Sequence, residues 1–333
     1  MLRPNLFLAL LPVLVFLAAL VSLDSYKLVR LRAVLLTIAL GVAAAVAGLG
    51  VNNWLADWLD LAWPQFVRYV SPFPEEILKT AFLVVLFARN RIGFMVDAAI
   101  RGFALGAGFA SAENVFYLWL RPDADLSYWI IRGFGTAMMH GGVTAIAGIL
   151  TQSYLERRKQ PLLLAVIPGL IAAVAIHSLF NHFFLDPRLT TVLILIVFPL
   201  LIIIVFRASE RKTRRWLGIG FDSDQALLEM VTTGVLAENP IGAYLHSLQG
   251  RFPGEVVADM LCYLRIHLEL ALRAKGMLLM REAGFEVPPD PGVQSQFEEL
   301  RYLEKSIGTT GKLALHPFLH IRVRDLWQIT MLR

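Results

Sequence analysis

The chain has 333 residues, of which 57% are hydrophobic and 17% charged, with a formal net charge of +5. A soluble domain carries about 45–50% apolar and about 25% charged residues, so this composition excludes an ordinary soluble protein. A single cysteine, Cys262, excludes an intramolecular disulfide and a cysteine metal cage, and reads as a small core hydrophobe.

The charge is unevenly spread. Residues 1–206 hold 15 Lys/Arg and 11 Asp/Glu, set in short clusters between long apolar runs, whereas residues 207–333 hold 16 and 15. The chain therefore divides into a membrane domain, 1–206, and a mostly helical cytoplasmic C-terminal domain, 207–333. The basic clusters between apolar runs are topology signals and do not indicate nucleic-acid binding.

Leu6 to Leu23 is 18 residues without a charge, long for a signal-peptide core, and reads as a retained first span. Lys27, Arg30 and Arg32 follow, then an Ala/Gly-rich second span over Ala33–Gly50. Residues 51–73, with Trp54, Trp58 and Trp63, read as an interfacial belt. A third span enters between Phe66 and Pro74 and leaves at Arg89 to Arg91. The fourth covers Phe94–Leu120, the fifth Tyr128–Leu155, the sixth Leu162–Leu185, and the seventh Leu189–Phe206, ending in the basic run RASERKTRR. Loops alternate between basic and non-basic, which places the N-terminus outside and the tail in the cytoplasm.

In the tail, VVADMLCYLRIHLELALRAKGMLLMREAG has helical periodicity that stops at Gly284. FEVPPDPG reads as a loop and QFEELRYLEKSIG as a second helix. His246, His267, His316 and His320 are expected on the surface. The fold class is thus all-α, a polytopic bundle of about seven spans with a helical cytoplasmic tail domain.

Carboxylates inside a membrane cost about 2.5–3.5 kcal/mol each on insertion scales, so intramembrane acids mark function by default. Glu75 and Glu76 open the third span, and Lys79 lies three and four residues on, within reach of either acid. With a helical rise of about 1.5 Å per residue, Glu113, His177 and His140 lie roughly 10, 12 and 18 Å below the outer surface, converging on one half of the bilayer. His177 and Asn181 share a helix face, while His182 lies on another. Asp97 and Arg101 read as a structural ion pair nearer the cytoplasm. Glu113 has a structural alternative as partner of Arg132.

Such groups suit hydrolysis. A carboxylate accepts a proton from water, a histidine or metal orients that water, and histidine and asparagine donate to an oxyanion. Alternatively Glu113, His140 and His177 could hold a zinc ion, one carboxylate and two imidazoles being a ligand set of catalytic zinc.

Four motifs in order carry a family resemblance: PFPEEILK, GFALGAGFASAEN, MHGGVTAIAG and HSLFNH. Together they resemble the PrsW family of intramembrane proteases, grouped with the CAAX prenyl proteases, over about residues 5–215. The E-E-x-x-K motif falls on Glu75, Glu76 and Lys79, F-x-x-x-E on Phe109 to Glu113, the single histidine on His140, and H-x-x-x-N on His177 to Asn181. The resemblance implies an intramembrane endopeptidase acting on membrane-tethered proteins in the lipid bilayer. In that reading Glu76 or Glu75 is the general base tuned by Lys79. Glu113 and His140 position the water or a metal such as zinc, and His177 and Asn181 stabilise the oxyanion. Metal and glutamate chemistry both stay open. The tail could bind a cytoplasmic regulator.

Two rival classes use the same residues. Intramembrane Glu, His and Arg also build proton relays, which would make the chain a proton-coupled transporter. A non-enzymatic membrane scaffold would place the function in the tail. No H-E-x-x-H, G-x-S-G or G-x-G-D signature is present, which sets aside other intramembrane protease classes.

Overall fold

The computed structural model describes residues 4–158, 160–233, 240–288, 290–319, 327–328 and 331–332. Every long element among them is an α-helix, and no strand occurs among the described residues. The chain forms two compact units, Met1–Glu210 and Arg211–Arg333.

In the first unit the helices are α1 (Pro4–Ser22), α2 (Leu31–Leu59), α3 (Pro72–Ala88), α4 (Met95–Leu120), α5 (Ala137–Arg158), α6 (Leu162–His182) and α7 (Pro187–Thr233), the last running on into the second unit. Two stretches of π-helix, Phe66–Val70 before α3 and Ile131–Thr136 before α5, interrupt the regular ladder. Such segments are rare and concentrate at functional sites.

Helix α4 is the centre, packed by α1, α2 and α5. Met95 to Ala110 are buried without a break, as in a helix apolar on every face. Between α4 and α5 the closest approach is at Gly106: a Cβ there would overlap the carbonyl of His140 on α5. Small residues allow such backbone contact between membrane helices.

Among the described residues, five helical stretches are long and apolar enough to cross a membrane: Pro4–Ser22, Leu31–Leu59, Leu126–Arg157, Leu162–His182 and Pro187–Thr233. Their outer faces, with Leu35, Leu36, Ile171 and Ile204 exposed, are those of helices solvated by lipid. The third and fourth expected spans coincide with α3 and α4, the two helices that carry the acids and Lys79.

Boundaries differ from expectation in two places. Helix α2 continues through the Trp-rich stretch to Leu59, so Trp54 and Trp58 stack on one exposed helix face at 6.2 Å. Helix α7 does not stop at Phe206; RASERKTRR contains no Gly or Pro, so the hydrogen-bond ladder continues through it.

The second unit is built on α8 (Gly254–Glu282) and α9 (Gly292–Leu315), whose apolar faces meet through Met260, Leu264, Phe297, Leu303 and Ile307. Gly284, with φ of 84°, supplies the left-handed residue that ends α8. His267 is buried rather than at the surface, because its helix face is the one that packs inward. His246 and His316 are exposed, and His320 lies outside the described residues.

Candidate active site

Six helical segments bring their polar residues to one place. Glu75, Glu76 and Lys79 come from α3, Glu113 and Asn114 from α4, and His140 from α5. Arg132 comes from the π-helical lead into α5, His177 and Asn181 from α6, and Asn52 from α2. The i, i+3 and i, i+4 spacings read in the sequence place each local group on one face. The bundle then faces those groups towards one another.

Glu76 is wholly enclosed. Its Oε1 accepts from Lys79 Nζ at 2.5 Å and from His177 Nδ1 at 2.8 Å. Lys79, also fully buried, reaches His140 Nδ1 at 3.1 Å and sits 4.6 Å over the ring of Phe109. A lysine ammonium only donates, so Nδ1 of His140 accepts and its Nε2–H donates to Glu113 Oε2 at 3.1 Å. The same Glu113 oxygen lies 3.2 Å from Arg132 Nη2. The structural partnership of Glu113 with Arg132 is thus present, alongside the contact with His140.

Arg132 is itself held in place. Its Nε donates to Asn114 Oδ1 at 2.8 Å, and Asn114 Nδ2 donates to the Ala9 carbonyl of α1 at 2.7 Å. The guanidinium stacks 3.8 Å over Tyr117, an arrangement that favours arginine. On the other side, Glu75 Oε1 accepts from Asn52 Nδ2 at 2.9 Å, and Glu75 Oε2 lies 3.9 Å from His177 Nε2.

Ligand atoms of Glu75, His140 and His177 all lie within 4.8 Å of one another, and all three residues are buried. The imidazoles meet edge to face, with centroids 4.7 Å apart. Glu75, rather than Glu113, is the carboxylate of this cluster. Around it are three acids, Glu75, Glu76 and Glu113, and two basic residues, Lys79 and Arg132. With all three acids ionised and both histidines neutral, these groups carry one excess negative charge, which is expensive at low dielectric and is relieved by a proton or a bound cation.

The cluster opens into a cavity of about 600 Å³, whose lining includes Glu75, Glu113, Arg132, His140, His177 and Asn181. Glu76 and Lys79 do not line it; they stand behind the histidines. Asn181 Nδ2 donates to the Val67 carbonyl at 2.9 Å, and Ser178 Oγ to that of Arg68 at 2.6 Å. The π-helical turn 66–70 thus supplies acceptors to α6. His182 turns away and pairs with the Ser178 carbonyl. Asp97 and Arg101 form their own buried pair at 2.7 Å.

Sequence reasoning did not single out Asn52 or Asn114. Each is an ordinary amide in an apolar run, and only the tertiary contact distinguishes it. An Asn within a membrane helix is the signal that could have pointed to them.

A family model described as PrsW family intramembrane metalloprotease matches residues 29–206. No curated protein and no solved structure matches the chain.

Proposed function

The chain belongs to the PrsW family of intramembrane metalloproteases, and from that premise we propose that the cavity beside Glu75, His140 and His177 is where it hydrolyses peptide bonds. It is a multi-pass membrane hydrolase, and its substrates are membrane proteins. The observation that carries the site assignment is the buried carboxylate and two imidazoles that line one cavity.

These residues suit a divalent metal. A carboxylate with two imidazoles is a ligand set of catalytic zinc. Glu76 takes the Nδ1–H of His177, the outer contact that fixes the ring and tautomer of a ligating histidine. With the three acids ionised, the excess negative charge around them also favours a cation. Glu75, His140 and His177 would hold the metal, and His140 would give up one of its two present hydrogen bonds to join the set. When bound, such a metal polarises the scissile carbonyl and acidifies a water.

The protein groups then divide the remaining work. Glu113 shares Oε2 between Arg132 and His140, which leaves Oε1 to take a proton from the attacking water. Glu113 returns that proton to the leaving amine as the C–N bond breaks. Arg132 balances the charge of Glu113 and holds it in place. Glu76 and Lys79 orient His177 and His140 from behind, a positioning role in place of the general-base role expected for Glu76. Asn181 keeps one amide N–H beyond the bond to Val67 and offers it to the carbonyl oxygen. His177 has Nδ1 committed to Glu76 and serves as a ligand instead of an oxyanion donor.

We also read α3 and α4 as spans alongside the five more apolar stretches, which gives seven. Loop charge supports an outer N-terminus and a cytoplasmic C-terminal domain, with the protease domain ending near residue 206.

The test compares new protein N-termini in membranes of cells expressing the native chain or its Glu113→Gln variant. Termini specific to the native chain, mapping within or beside transmembrane segments, are expected. Identical termini in both samples, with both proteins inserted and equally abundant, would remove Glu113 from the reaction.

A further inference from the structure

Asn52 lies on α2, away from the four motifs, yet it reaches the cavity and touches Glu75. The bond fixes which way its amide points, because only the nitrogen end can donate to a carboxylate. Its Oδ1 is buried and has no hydrogen-bond partner. Leaving a buried acceptor unsatisfied costs about 1–3 kcal/mol. A leucine of similar shape would avoid that cost in an apolar bundle. What position 52 gains from an amide is the bond to Glu75.

The geometry around Glu75 matches that around His177. Each has one atom tied back to the protein and one turned to the space between them. For His177, Nδ1 is tied to Glu76 and Nε2 faces Glu75. For Glu75, Oε1 is tied to Asn52 and Oε2 faces His177, 3.9 Å away. We propose that Asn52 is the positioning residue of Glu75, holding Oε1 so that Oε2 alone is presented to a divalent metal. The role rests on the metal reading above. It belongs to the class of outer contacts whose loss lowers metal affinity about 10–100-fold.

The experiment titrates Zn²⁺ alone into the purified full chain in lipid nanodiscs and records affinity together with melting temperature. The native chain is expected to bind one Zn²⁺ and His177→Ala none. Asn52→Leu, which keeps the shape of the side chain, is expected to bind about 10–100-fold more weakly while melting near the native temperature, because the orphaned Oδ1 is removed as Glu75 Oε1 loses its donor. Asn52→Ala gives the same reading if the leucine variant does not fold. Native zinc affinity in the folded Asn52 variants overturns the proposal and leaves the metal site standing. A lower melting point with unchanged affinity does the same, and reduces Asn52 to an α2–α3 tie. No zinc binding by the native chain overturns the metal reading and this role with it, while the proteolysis itself is judged by the N-termini.

Discussion

Lys79 is buried with no exposed surface and satisfies two partners, Glu76 and His140. Breaking a buried ion pair by removing one member costs about 3–5 kcal/mol, because the other charge is left alone. Lys79→Met is therefore expected to destabilise the bundle by about that amount in an unfolding titration. Adding Glu76→Leu to it should recover part of the loss; a double variant less stable than the single one would show that the pair is not the cause. Glu113→Gln tests chemistry instead of stability. Removal of a general base lowers rate about 10²–10⁴-fold, and the variant should keep the fold with reduced stability, because its amide oxygen can still accept from Arg132 and His140 while Arg132 loses its counter-charge. Outside the spans, Asp24 is buried in the loop between α1 and α2 and accepts from the Leu28 and Val29 amides. Burial, aided by the charge of Asp97, pushes its carboxyl up to about 6 against the opposing pull of those amides and Lys27. The folded state therefore holds this proton more tightly than the unfolded chain. The associated stability is full below about pH 4 and falls away as pH rises through about 6. Asp24→Asn should flatten thermal stability between those values, and an unchanged pH profile would rule out this source.

At the scale of elements, the site depends on how closely α4 and α5 approach. Gly106 sets that distance against the carbonyl of His140, the residue that bridges Lys79 and Glu113. Gly106→Val should separate the helices, cost about 1–3 kcal/mol as overpacking does, and abolish the native-specific N-termini. Gly50→Ala, where a Cβ meets only open space, should leave both unchanged. Loss of function in both variants would point to a general intolerance of substitution instead. The helices themselves were readable from apolar run length, and the ion pairs Glu76–Lys79 and Asp97–Arg101 from i, i+3 and i, i+4 spacing. The π-helical turns were not readable, because they arise where packing overrides the local ladder. The continuation of α7 past Phe206 was missed because a basic run resembles a loop by composition while remaining compatible with a helix.

Every side chain of the candidate site lies in Met1–Glu210. A chain ending at Glu210 is therefore expected to keep zinc affinity within about threefold of the native value. A larger loss would show that residues 211–333 support the site. The sequence alone determined that this is a helical membrane protein with acids and histidines at matching depth, because apolar run length and the cost of buried charge are local properties. It also carried the family, through four motifs in order. Which carboxylate joins the two histidines was decided only by tertiary structure. Glu75, Glu76 and Glu113 are equivalent as residue types, and the partners that tell them apart come from outside their own helices: Asn52 for Glu75, His177 for Glu76, Arg132 and His140 for Glu113. Helix packing, not spacing along the chain, sets which oxygen is tied and which is free.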